Sequence, residues 1–173
     1  MAKKYCPKGG KVLDVGCGVG NVLRLIHHGD STCELYGADI DETCLKNTKE
    51  SVGLKEAIHI SDVEDLFQQN RESTFDVVIF SHVLEHVSRP SDTVKGLVNL
   101  LKPGGVLILA VPNPVRPDVI LFNLVQNLDK VNRGHIQTWD RAHWKNFLER
   151  ILELDVVEYP TDSIRIPKLD EVK

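Results

Sequence analysis

KVLDVGCGVGNVLRLI, residues 11–26, is the stretch from which the rest of the chain is read. Val12, Leu13 and Val15 make an apolar run long enough for one buried strand and too short for a helix. Gly16, Gly18 and Gly20 then alternate with Cys17 and Val19, and Val22, Leu23 and Ile26 recur at helical spacing up to Gly29. Strand, glycine turn, helix is the opening unit of a nucleotide-binding α/β domain. The turn lets a ligand approach the main chain, and the first amides of the helix face it. The spacing is GxGxG, one residue tighter than the GxGxxG of dinucleotide dehydrogenases.

Outward from that unit, Glu34 to Asp41 reads as a second strand ending in acids. An acid about twenty residues beyond the glycine turn, at a strand tip, is where ribose hydroxyls are gripped, because a carboxylate accepts two hydrogen bonds from a vicinal diol. Asp39 is assigned that role, and Asp41 the N-cap of a helix starting near Glu42. Ala57 to Asp62 is a short third strand, and its acid either meets the ligand or caps a helical turn through Val63 to Leu66. Phe75 to Phe80 is nearly all apolar, as for a strand buried on both faces of a parallel sheet. It runs into Ser81-His82-Val83-Leu84-Glu85-His86-Val87. Pro90 and Ser91 open a helix with Val94, Leu97, Val98 and Leu101 on one stripe, which stops at Lys102 to Gly105. Val106 to Val111 is the fifth strand. Alternating strands and helices imply a parallel sheet covered on both faces, with ligand at the carboxyl ends of its strands.

The later part is read more loosely. Val119 to Leu128 is a helix candidate that is apolar on almost every side, and core, substrate lid and dimer patch (118–130) all stay open for it. Asp140 is expected to cap a helix with Trp144, Phe147, Leu148 and Ile151 facing the core, followed by a strand from Leu152 to Val157.

The net charge of −4 gives no reason to expect a nucleic-acid or anionic-membrane surface, although four lysines among the first eleven residues form a basic, solvated end. No apolar run reaches the ~18–20 residues of a membrane span, and no signal-peptide pattern opens the chain. Cys6, Cys17, Cys33 and Cys44 lack zinc-ligand spacing, which points to reduced thiols and a cytoplasmic protein.

DVGCGVG resembles motif I of the class I S-adenosylmethionine (SAM)-dependent methyltransferases, and GADID resembles motif II. FDVVIFSHVLEHV and LKPGGVLILAVPN resemble the later strands of the small-molecule branch that includes ubiquinone-pathway O-methyltransferases. The resemblance implies one Rossmann-like α/β domain over residues 1–173 (core 11–157, possible lid 114–138). Its sheet would be doubly wound and mostly parallel; the sequence departs from the family in a short N-terminal cap and an abbreviated C-terminal end. It implies SAM as cofactor and S-adenosylhomocysteine as product, held by Asp14, Gly16, Cys17, Gly18, Gly20, Asp39, Ile40 on the adenine face, Asp62 and Val63 at the adenine edge, and Ser81. The implied activity is methyl transfer to an oxygen or nitrogen of a small-molecule acceptor, without metal, with His82, His86 and His135 as the candidates for proton transfer. His28, His59 and His143 are read as ordinary histidines. Two other readings stay open: a non-catalytic SAM-binding domain, and a metal-assisted RNA 2′-O-methyltransferase. If the segment after strand four is helical, His82, Glu85 and His86 share a face. With His135 they then resemble the metal site of small-RNA 2′-O-methyltransferases, save that His82 stands where those carry glutamate.

Overall fold

The computed structural model describes residues 2–29, 32–69, 71–115, 120 and 134–160. Five strands, β1 (Lys11–Val15), β2 (Glu34–Asp39), β3 (Glu56–His59), β4 (Phe75–Ser81) and β5 (Leu101–Ala110), pair in the order β3-β2-β1-β4-β5. Every pairing is parallel. The helices between them are α2 (Asn21–Gly29), α3 (Glu42–Val52) and α4 (Pro90–Asn99), flanked by α1 (Ala2–Tyr5) and α5 (Arg141–Asn146).

The period of two along β1 decides which residue meets which layer. Val12 points to one face with Leu23 and Ile26 of α2, Leu45 and Val52 of α3, and Val77 and Ile79 of β4. Leu13 and Val15 point to the other, with Val78 and Phe80 of β4, Val94 and Leu97 of α4, and Phe147 and Leu148. Each face is thus covered, as a parallel sheet requires.

Several boundaries differ from the sequence reading. β2 ends at Asp39, because Asp41 turns out of the strand to cap α3, accepting the Cys44 amide at 3.0 Å. β3 is shorter than expected, since Asp62 and Asp65 form a reciprocal capping box on a 3₁₀ turn, Val63–Gln68. β5 starts at Leu101: its pairing passes from Phe75↔Leu101 to Val77↔Val106, so the Lys102–Gly105 breaker bulges out within the strand. Residues 152–157 form no strand, and Glu153 sits at φ +53 among them. Ile151 is exposed instead of core-facing, because α5 passes into a π turn, Phe147–Ile151. Its Leu152 amide reaches back five residues to Phe147 at 3.0 Å, which rotates Ile151 outward and buries Leu152 in its place. The apolar helix candidate and dimer patch lie outside the described residues, apart from Ile120, which is exposed. Among the described residues no helix is long and apolar enough to cross a membrane.

Candidate functional site

The glycine loop leaves β1 and folds over the tip of β2, with the amides of Gly16 and Cys17 both donating to the Ala38 carbonyl (2.8 and 3.1 Å). Cys17 turns its side chain into the core beside Gly37, and burial pushes its thiol up to about 12, so only its main chain is left for a ligand. Gly18 holds φ +49, a conformation that L side chains disfavour, and a Cβ there would meet nothing within 4 Å. Its amide donates to Asp39 Oδ2 at 2.6 Å, and Asp39 Oδ1 accepts from the Asp41 amide at 2.9 Å. Each carboxylate oxygen keeps a further lone pair for a diol. Ile40, beside Asp39, is 67% exposed, an apolar face next to the carboxylate.

Asp14 lies between Gly37 and Ile79 in the sheet and is buried. Loss of solvent, with Asp39's charge second, raises its carboxyl to about 7. Asp62 takes the capping role that the sequence left open, accepting the Val63 amide at 2.6 Å. An adenine ring nitrogen would have to displace it to reach that amide.

Past Ser81, which ends β4 opposite Ala110, the chain turns sharply. His82 sits at φ +57 with its amide bonded to the Ala110 carbonyl at 2.9 Å, and its side chain is exposed. Only one 3₁₀ turn follows, Leu84–His86, so the helical face expected for His82, Glu85 and His86 does not form. The side chains converge nonetheless. Glu85 is buried, and its Oε1 lies 3.8 Å from His82 Nδ1, 4.0 Å from His86 Nε2 and 3.9 Å from His135 Nε2. His135 arrives because residues 134–137 dock on the turn: the amides of Ile136 and Gln137 donate to the Glu85 carbonyl, and Gln137 Nε2 to the Val87 carbonyl. The Gly134 carbonyl accepts from His86 Nδ1 at 2.7 Å, so Nε2 is the ring nitrogen left toward Glu85. The other carboxylate oxygen of Glu85, Oε2, is buried without a hydrogen-bond partner among the described residues. Nitrogen–oxygen gaps near 4 Å are too long for hydrogen bonds. Glu85, His86 and His135 offer ligand atoms within 4.8 Å of one another, a group that could hold a cation.

Thr48 was not foreseen. It is the polar member of α3's buried stripe with Leu45 and Val52, and its hydroxyl donates to the Gly18 carbonyl at 2.9 Å. The sequence signal was a threonine at core spacing on the helix that follows the ribose-type acid.

A family of methyltransferase domains matches residues 1–157. The chain belongs to this methyltransferase family. Among curated relatives, this methyltransferase domain is 34% identical to a ubiquinone biosynthesis O-methyltransferase of Coxiella burnetii over 110 residues, 61% of this chain and 45% of that protein. It is 27% identical over 106 residues to a malonyl-[acyl-carrier protein] O-methyltransferase of Brevibacillus brevis, 60% of this chain and 38% of the relative. The domain therefore spans less than half the length of either. In fold it is similar to the methyltransferase solved with the Haloferax volcanii Trm112 methyltransferase activator (TM-score 0.70, 21% identity, 99% of this chain and 76% of that one). SAM is the cofactor expected of the family. The open space over Gly18 and the acid at the tip of β2 fit it.

Proposed function

We propose that the domain binds SAM across the carboxyl ends of β1 and β2 and supports methyl transfer to an oxygen or nitrogen of a small-molecule acceptor. The observation that carries this reading is the Gly18–Asp39 pair: an open, positive-φ turn whose amide meets a carboxylate at 2.6 Å. Asp39 would take the ribose hydroxyls, Ile40 the adenine face, and the main chain of Gly16 to Gly20 the amino-acid end. Asp14, Asp62, Val63 and Ser81 border that space. SAM supplies an electrophilic methyl, so the protein's task is chiefly to hold a nucleophile in line, which is worth on the order of 7–11 kcal/mol. Of the three candidate histidines, His82 suits the general base best, being exposed beside the end of β4 and held in a costly backbone conformation. His86 and His135 face Glu85 and shape the wall behind it. The relatives' names favour an oxygen acceptor, and the net charge of −4 speaks against a nucleic acid. Calorimetry with S-adenosylhomocysteine and with NAD tests the reading; binding of NAD alone would overturn it.

One observation favours a metal-assisted variant of the same chemistry. Glu85 Oε2 is buried with no hydrogen-bond partner among the described residues, and His86 Nδ1 is bonded to the Gly134 carbonyl, as the second nitrogen of a ligating imidazole commonly is. Two imidazoles and one carboxylate suit zinc or iron(II) better than magnesium. Elemental analysis of protein purified without a histidine tag decides between the two readings.

A further inference from the structure

Thr48 has no exposed surface, and a threonine inside a helix usually returns its hydroxyl to the carbonyl one turn back. Here the hydroxyl instead reaches out of α3 to the Gly18 carbonyl, 30 residues away in sequence. The same side chain places its methyl against the loop a second time: a Cβ on Gly20 would lie 2.4 Å from Thr48 Cγ2. Gly18 is thus gripped from both ends, its amide by Asp39 at the tip of β2 and its carbonyl by Thr48. A trans peptide is rigid and planar, so holding the Gly18 carbonyl toward α3 turns the Val19 amide away from α3.

We infer that Thr48 is a positioning residue for cofactor binding: its hydroxyl sets the orientation of the Gly18–Val19 peptide that the cofactor meets. This rests on the cofactor reading above. Glycine is the residue most able to leave this conformation, so a loop with three of them needs an external restraint to stay preorganised. The Thr48 hydroxyl provides one. Without it the Gly18 carbonyl loses its bond to α3, and the loop must be reordered each time ligand binds.

The test is calorimetry with S-adenosylhomocysteine on wild type, Thr48→Val and Thr48→Ser, with folding checked by near-UV circular dichroism. Thr48→Val keeps the shape and removes the hydroxyl, so affinity should fall about tenfold, the worth of one hydrogen bond to a part-buried carbonyl. Thr48→Ser keeps the hydroxyl and should bind within about twofold of wild type. Should Thr48→Val not fold, Thr48→Ala is compared with Thr48→Ser instead, since both lack the methyl and differ only in the hydroxyl; alanine should bind about tenfold more weakly than serine. Folded Thr48→Val binding like wild type, or Thr48→Ala binding like Thr48→Ser, would overturn the inference. So would equal losses in Thr48→Ser and Thr48→Val, because the hydroxyl that serine retains would then preserve nothing. A wild-type protein that binds no S-adenosylhomocysteine would bring down the cofactor reading itself, and this inference with it.

Discussion

The carboxylate of Asp39 stands 2.6 Å from the amide of Gly18, joining the tip of β2 to the middle of the glycine loop. The bond crosses between two strand ends that lie side by side, so one side chain both shapes the loop and faces the space above it. Removing that side chain should therefore act on binding in two ways at once.

Asp39→Ala is expected to weaken S-adenosylhomocysteine by roughly 1.5–3 kcal/mol, the range for hydrogen bonds to a charged group. Isothermal titration of folded variant and wild type measures it. An unchanged affinity would move the ribose contact to another residue.

Gly18→Val should abolish cofactor binding and leave the domain folded. A Cβ at Gly18 meets nothing within 4 Å, so the cost to folding is the backbone strain of a positive φ, roughly 1–2 kcal/mol. Gly20→Ala should behave differently: its new methyl would meet Thr48 at 2.4 Å and lower the melting temperature first. Thermal melts beside ligand titrations separate the two.

Asp14 predicts a pH dependence of stability. Its carboxyl is raised from 3.8 to about 7 by burial, with Asp39's charge adding to it. The folded state therefore holds a proton that the unfolded state has already released. Its contribution to stability is complete below pH 3.8 and lost as pH climbs through 7. Asp14→Asn, measured without ligand, should gain melting temperature over wild type progressively between pH 4 and pH 8. A constant difference across that range would mean that Asp14 ionises at an ordinary pH.

His82→Ala is expected to lower the methylation rate by 10²–10⁴-fold, the usual worth of a general base, without changing S-adenosylhomocysteine affinity. Treatment with a chelator distinguishes the two versions of the chemistry. Activity indifferent to chelator supports a base working alone; a stoichiometric metal lost together with activity supports the metal-assisted variant, with Glu85, His86 and His135 as the candidate ligands.

Much of this was legible because it depends on local pattern. Val12, Leu13 and Val15 ahead of three alternating glycines specify strand and turn almost by themselves, and Asp41 declares its cap by standing just before Glu42. Asp39 is found at the tip of β2 by counting about twenty residues beyond the glycine turn. Contacts across the fold were harder to read. Thr48 looks like any core-facing helix residue until Gly18 is brought beside it. The histidines around Glu85 were grouped through a helical spacing that the chain does not adopt. They meet because residues 134–137 bond to the backbone of the turn, and no periodicity encodes that docking. Ile151 was misplaced by a single extra residue in a π turn, a change of pitch below the resolution of hydropathy patterns.

The position of β1 carries a consequence for how the molecule is made. β1 lies between β2, which follows it closely, and β4, whose Asp76 accepts the Lys11 amide from 65 residues away. A nascent chain that has emerged only as far as β3 holds Val12, Leu13 and Val15 along an open strand edge, the kind of edge that pairs with other chains. The cofactor loop is bonded to β2 and α3, but the strand it leaves gains its second neighbour only when β4 closes that edge. Mutations that slow the pairing of Val77 to Phe80 with β1 should therefore lower soluble yield during synthesis even where the finished protein binds its cofactor normally.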